Sequence, residues 1–316
     1  MSFAFVLAAG LSDAQEFPTQ PIRIVIPYAA GGGSDILARP VGLTMTERLK
    51  QPVVVDNRAG AAGNIGAQLV AQANPDGHTL LLANISHTIN PFIYKSPGYD
   101  MAADFAPISV LGTSPTIMVV HKGVPATTLR EFVALAQKNP GKLNFGSAGV
   151  GTPPHLVSLL FNKLTGINLV HIPYKGAGPL ATALLQKEID VVFTTPASAA
   201  VYIKSGDFCA LAVTSRERFP SYPNVPTVAE SGLPGLSDFQ MEVWWGLLAP
   251  ARTDPRVLDT LNAAVTAALR DPKMSERWLA DGMVPTPTSR AEFQARIKSD
   301  LQKWEKVVRE NAITVE

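Results

Sequence analysis

In the stretch Ile22–Asp35, IRIVIPYAAGGGSD, an apolar run passes into a glycine turn and then into a helical pattern. The first N–H groups of a helix have no intrahelical partner, and the macrodipole adds roughly half a positive charge at that end. A junction of this kind holds an anion, a carboxylate above all. It also serves as a plain turn, because glycine is the usual residue of tight turns. The same device recurs in Leu143–His155, LNFGSAGVGTPPH. Two helix N-termini facing one cleft would neutralise an organic anion without any Lys or Arg.

Other side chains sit where they could assist, each with a plainer alternative. The hydroxyls of Ser34 and Thr152 can donate to a ligand or cap their own helices with the same atoms. Asp35, beside the anion position, reads as a first-turn residue offsetting the dipole. In Asn57–Gly66, Arg58 could meet a carboxylate, but Asp56 and Asp76 are local partners and a structural pair is favoured. Ser86 and His87 follow a third strand and fall at the same carboxyl-end rim. Lys175 is the most attractive basic residue, although a solvated rim lysine is the commoner outcome. Tyr28 and Tyr174 could sandwich a ligand between ring faces or simply pack with a wet hydroxyl. The five histidines lack metal-ligand spacing, so no metal is assigned, and His155 reads equally as a partner for loop backbone. Cys209, the sole cysteine, lies in an apolar run and reads as a small buried hydrophobe.

The elements that must position these groups alternate. Strands are expected at Ile22–Ile26, Pro52–Val55, Thr79–Ala83, Phe105–Val110, Thr116–Val120, Leu143–Gly146, Asn168–Ile172, Val191–Phe193, Ala210–Val213 and Val243–Leu248. Helices are expected between them, notably Ile36–Leu49, where Pro40 predicts a kink or a late start. Thr128-Leu129-Arg130-Glu131 and Ser289-Arg290-Ala291-Glu292 are capping boxes, and Asp254-Pro255 opens another helix. Strand–helix repetition of this sort makes an α/β fold with mainly parallel sheets. With 316 residues, the chain is long enough for two domains. Charged residues at 17% and a net charge of +1 leave no field to gather nucleic acid. Phe3–Leu11 followed by Ser12-Asp13-Ala14 reads as the remnant of an export signal, although no Lys or Arg precedes Arg23.

Taken in order, PIRIVIPYAAGGGSDILAR, QPVVVDNRAGAAGNIGA, PDGHTLLLAN, LNFGSAGVGTPPHL, VHIPYKGAGP and NVPTVAESGLPGL resemble the Bug or TctC-like proteins, the solute receptors of tripartite tricarboxylate transporters. The resemblance runs from about Pro18 to the C-terminus. It implies a two-domain periplasmic binding protein of type II, or Venus-flytrap, form with its ligand in the cleft between domains. Residues 18–120 with 226–316 would form one domain and 121–225 the other. A small organic carboxylate would lie against Tyr28, Ala29, Gly32, Gly33, Ser34 and Asp35 on one side. Ser147, Ala148, Gly149, Gly151, Thr152 and His155 would face it from the other. Ser86, His87, Tyr174, Lys175, Thr194 and Thr195 complete the candidate set. Many relatives carry an Asp where Thr194 stands here, able to meet a ligand's amino group. Its absence turns the expectation from amino acids toward plain mono- or dicarboxylates, aromatic diacids of the phthalate type included, with a tricarboxylate also open. A monomer working with membrane permease subunits, without cofactor, is implied.

The competing class is an NAD(P)-dependent Rossmann-type enzyme. Asp56 ends a strand about 20 residues beyond Gly33, as a ribose contact would. But Ile36 stands where the third glycine should be, Pro27 interrupts the strand-to-turn junction, and no GxSxG surrounds Ser147. The expectation is therefore an exported, non-enzymatic binding protein.

Overall fold

Strand β1, Ile22–Ile26, is buried on both faces because it lies between two parallel neighbours, β2 (Val53–Asn57) and β3 (Thr79–Asn84). These belong to a computed structural model that describes residues 17–30, 33–280 and 282–310. The expected export-signal remnant and Gly32 lie outside the described residues. The first sheet is completed by β4 (Phe105–Pro115), β10 (Glu242–Pro250) and β11 (Val284–Pro285), in the order β11-β4-β10-β3-β1-β2. Strand β10 runs antiparallel to both β3 and β4.

Helix α1, Gly33–Leu49, follows β1, starts earlier than the sequence predicts and continues through Pro40. Its first turn is braced by the ion pair Asp35–Arg39, one turn apart. Helices α2 (Asn64–Ala71) and α3 (Ser86–Ile93) continue the alternation. The second sheet contains β5 (Ile117–His121), β6 (Asn144–Ser147), β7 (Val170–Pro173), β8 (Val191–Thr194) and β9 (Phe208–Val213), in the order β7-β6-β8-β5-β9. Around it lie α4 (Leu129–Lys138), α5 (Pro153–Thr165), α6 (Ala177–Leu185) and α7 (Pro196–Ser205). The capping box expected for α4 is formed, with Glu131 N donating to Thr128 Oγ1 at 3.2 Å.

The chain changes sheet at Thr116 and returns between β9 and β10. Strand β5 belongs to the second sheet, so a division after residue 120 falls too late. One buried cluster ties the two passages together. Thr214 Oγ1 accepts the Thr116 amide at 2.9 Å and donates to the Met241 carbonyl at 2.6 Å. After β10, α8 (Pro255–Leu269), α9 (Pro272–Ala280) and α10 (Arg290–Glu310) return to the first sheet. Trp244 of β10 donates to Asp300 of α10 at 2.7 Å and meets Phe293 edge-on. Beside it Gly246 has no substitute, since a Cβ there would lie 2.3 Å from the Phe293 ring.

Candidate functional site

A cavity of about 910 Å³ lies between the two sheets, walled by loops at the carboxyl ends of β1, β2, β6, β7 and β8. The passages between sheets supply Thr116, Val243 and Trp245 to its lining. This is where ligands meet open parallel sheets, because the loops converge there and helix N-termini point inward.

On the first-sheet side, Tyr28, Ala29, Gly33 and Ser34 line the cavity. The Tyr28 hydroxyl is already engaged, donating to Asn84 Oδ1 at 3.0 Å, and burial raises its pKa. Ser34 Oγ accepts the indole N–H of Trp245 at 3.0 Å. Asp35 turns away to Arg39, which holds both carboxylate oxygens at 3.0 and 2.9 Å, and it does not reach the lining.

The turn after β2 contributes more than the sequence suggested. Arg58 does pair with Asp56, donating to its oxygens at 3.1 and 2.9 Å, whereas Asp76 bonds the His78 amide. Yet the next residues, Ala59–Gly63, form cavity wall. Ala61 and Ala62 both adopt positive φ, 46° and 53°, a conformation that costs an L-residue about 1–2 kcal/mol. The Ala62 carbonyl is held by Asn90 Nδ2 at 3.2 Å and by Tyr28 at 3.3 Å. Strain that neighbours over-determine in this way clusters at ligand sites.

Ser86 and His87 correct the rim expectation. Strand β3 ends in Asn84, whose Oδ1 accepts the Ser86 amide at 2.9 Å and starts α3. Both residues are thereby drawn wholly inside, and burial lowers the His87 pKa to about 4. What this region sends to the cavity instead is Asn84 and Tyr94.

On the second-sheet side, Ala148, Gly149, Val150 and Thr152 line the cavity, but Ser147, Gly151 and His155 do not. Those three shape the loop from behind. Ser147 Oγ lies 2.7 Å from His171 Nε2 and accepts the Gly149 amide at 3.2 Å. His155 Nδ1 accepts the Gly151 amide at 3.1 Å, and the His155 and His171 rings pack at 4.1 Å. Burial, reinforced by His171, lowers the His155 pKa to about 3, and burial lowers that of His171 to about 4. Thr152 Oγ1 donates to the Gly149 carbonyl at 2.6 Å.

The second half of the expected clamp is also changed. Pro153 and Pro154 occupy the first positions of α5, so two of its free N–H donors are missing. Helix α6 presents its N-terminus instead, with Gly176, Ala177 and Gly178 in the wall next to Tyr174 and Lys175. Thr194 and Thr195 line the cavity at the head of α7, where Thr195 Oγ1 accepts the Ser198 amide at 3.3 Å. Among the described lining residues Lys175 is the only charged one, and no carboxylate is present. Among the described residues no cluster of His, Cys, Asp or Glu is arranged to hold a metal ion.

Sequence reasoning missed Trp245, Tyr94 and Asn84. For Trp245 a signal existed in VWWGLL, since successive strand residues face opposite sides. Trp244 turns to α10 and Trp245 to the cavity.

Comparison with known proteins bears on this site. A family model described as "Tripartite tricarboxylate transporter family receptor" matches residues 37–313. Protein BugT of Bordetella pertussis is 33% identical over 97% of this chain and 94% of its own length. Rpa4515 of R. palustris, solved with adipate, superposes with a TM-score of 0.90 at 30% identity, covering 95% of this chain and 100% of that one. MatC from Rhodopseudomonas palustris, with bound malate, gives 0.86 at 31% identity, covering 92% and 100%. The two-sheet α/β architecture is thus that of periplasmic binding proteins.

Proposed function

The chain belongs to the tripartite tricarboxylate transporter receptor family, a family of periplasmic solute receptors, and from that premise we propose that it captures a small organic mono- or dicarboxylate and delivers it to a membrane permease. The observation that carries this reading is the charge balance of the cavity: one lysine and no acid among its described lining residues, and the N-termini of α1 and α6 in its wall. Such a wall stabilises an acceptor-only anion and leaves an ammonium group without a partner. Adipate and malate in two relatives of similar fold support the ligand class.

Capture works by hinge closure. The ligand touches loops of both sheets, so it makes its full set of contacts only when the halves are together, and it shifts the open–closed equilibrium by that difference. The Thr116–Thr214–Met241 cluster, where both passages meet, serves as the pivot. The closed form is what the permease reads. Export to the periplasm accompanies this role, and among the described residues no helix is long and apolar enough to cross a membrane. The dehydrogenase reading loses its acidic group, because Asp56 is occupied by Arg58 and does not line the cavity.

A thermal-shift panel of succinate, adipate, malate, benzoate, terephthalate and citrate, with NAD as the contrast, tests this. Saturation at about 100 times Kd adds about 2.7 kcal/mol of stability, a rise of roughly 5 °C for a chain of this size. At least one acid gives that rise and none is converted. A response to NAD alone, or turnover of an acid, removes the receptor reading.

A further inference from the structure

We infer, resting on the receptor reading above, that Trp245 is a positioning residue of the binding site: its indole N–H fixes the Ser34 hydroxyl so that the Ser34 proton points into the cavity. An indole nitrogen only donates, so the 3.0 Å bond from Trp245 Nε1 must end on a lone pair of Ser34 Oγ. The serine proton is then left over. Among the described residues the Ser34 hydroxyl has no hydrogen-bond partner besides Trp245, and it makes no return bond to the carbonyl of Ala30 one turn earlier. The residue is 7% exposed, and the surface it keeps is cavity wall. An O–H that is nine-tenths buried, unspent and adjacent to the N-terminus of α1 donates to whatever occupies the cavity.

Trp245 is itself held firmly. It is 4% exposed, and the strand around it pairs with β3 through Asn84 and with β4 through Gly112. The indole edge lies beside Gly33, where an added Cβ would stand 3.5 Å from Cζ2. Ser34 thus belongs to the first-sheet wall while its orientation is set by the strand that returns from the second sheet. The end of the ligand lying at α1 is a group that only accepts hydrogen bonds, a carboxylate rather than an ammonium.

The test uses the full chain and the acid of the panel above that binds tightest, starting with adipate, by calorimetry. Ser34→Ala and Trp245→Phe each weaken binding about tenfold, the range of one hydrogen bond to a charged group. The double variant is no weaker than Ser34→Ala alone, because Trp245 acts through the hydroxyl it orients. A second measurement does not depend on Trp245→Phe folding. In 15N-labelled protein, one of the four tryptophan indole signals moves in unliganded Ser34→Ala, and the same signal moves when acid is added to the wild type. Additive losses in the double variant, or indole signals indifferent to Ser34→Ala, overturn the role of Trp245 and leave the receptor reading standing. A panel in which no acid binds overturns both.

Discussion

Thr194 ends β8 at the cavity wall, 9% exposed, in a chamber whose described lining holds one ammonium and no carboxylate. An acid introduced there would have no cation fixed against it and would face a bound carboxylate at short range. Like charges in a partly desolvated site repel by several kcal/mol at close approach, and one of the two must take up a proton. Thr194→Asp therefore weakens binding of a simple dicarboxylate at pH 7 by more than tenfold, with part of the loss recovered as the pH falls toward 5. Unchanged affinity at pH 7 would place Thr194 outside the working pocket. Asp35, Ser86 and His87 have the chemistry of a binding residue, but Asp35 pairs with Arg39, and Ser86 and His87 are buried in the first turn of α3, where Asn84 accepts the Ser86 amide.

At the scale of elements, the loop from β6 into α5 is held in shape by neutral histidines. His155 must stay unprotonated to accept the Gly151 amide, and its pKa of about 3 lies far below the ordinary 6.5. Between those values the unfolded chain binds a proton that the folded chain refuses. Stability therefore rises with pH across that window and declines as pH drops from about 6.5 toward 3, by up to about 1.4 kcal/mol per pH unit for one such group. His155→Asn keeps an acceptor for Gly151 but cannot titrate. Its Tm falls less steeply than that of the wild type between pH 6.5 and 4, and parallel curves would show that His155 does not contribute. The same element shows why helix N-termini cannot be counted from sequence as equal anion sites. Pro153 and Pro154 suit the first turn of α5 sterically while removing the donors a ligand needs.

For the whole molecule, the contact that matters most is one between halves. Tyr94, at the end of α3, donates to the Val150 carbonyl at 3.0 Å across the cavity. Its ring fills the space where Gly151, at φ 79°, lacks a side chain; a Cβ would come within 3.0 Å of Cε2. This bond needs no ligand, so under the proposed hinge closure it biases the empty protein toward the closed form. Removing it by Tyr94→Phe forfeits about 1 kcal/mol of the closed state, which lowers affinity for every acid roughly five-fold and leaves their order unchanged. The unliganded variant shows a larger radius of gyration by small-angle scattering. Equal scattering and equal affinity would mean the contact is incidental.

The alternation of apolar strands with helical segments, the glycine turns at strand ends, and the family were all legible in the chain, because they are set by local periodicity and by residues few positions apart. Pattern could not assign strand partners: Phe105–Val110 and Thr116–Val120 look alike, yet a single residue, Thr116, separates the two sheets. Parts of both glycine turns, Tyr28, Ala29, Gly33 and Ser34 from one and Ala148, Gly149, Val150 and Thr152 from the other, line one cavity. Which atoms within them face it was decided only by folding. Hydroxyls and ring nitrogens take whatever donor or acceptor the tertiary structure brings nearest, and those partners lie far along the chain: 24 residues separate Ser147 from His171, 56 separate Tyr94 from Val150, and 211 separate Ser34 from Trp245.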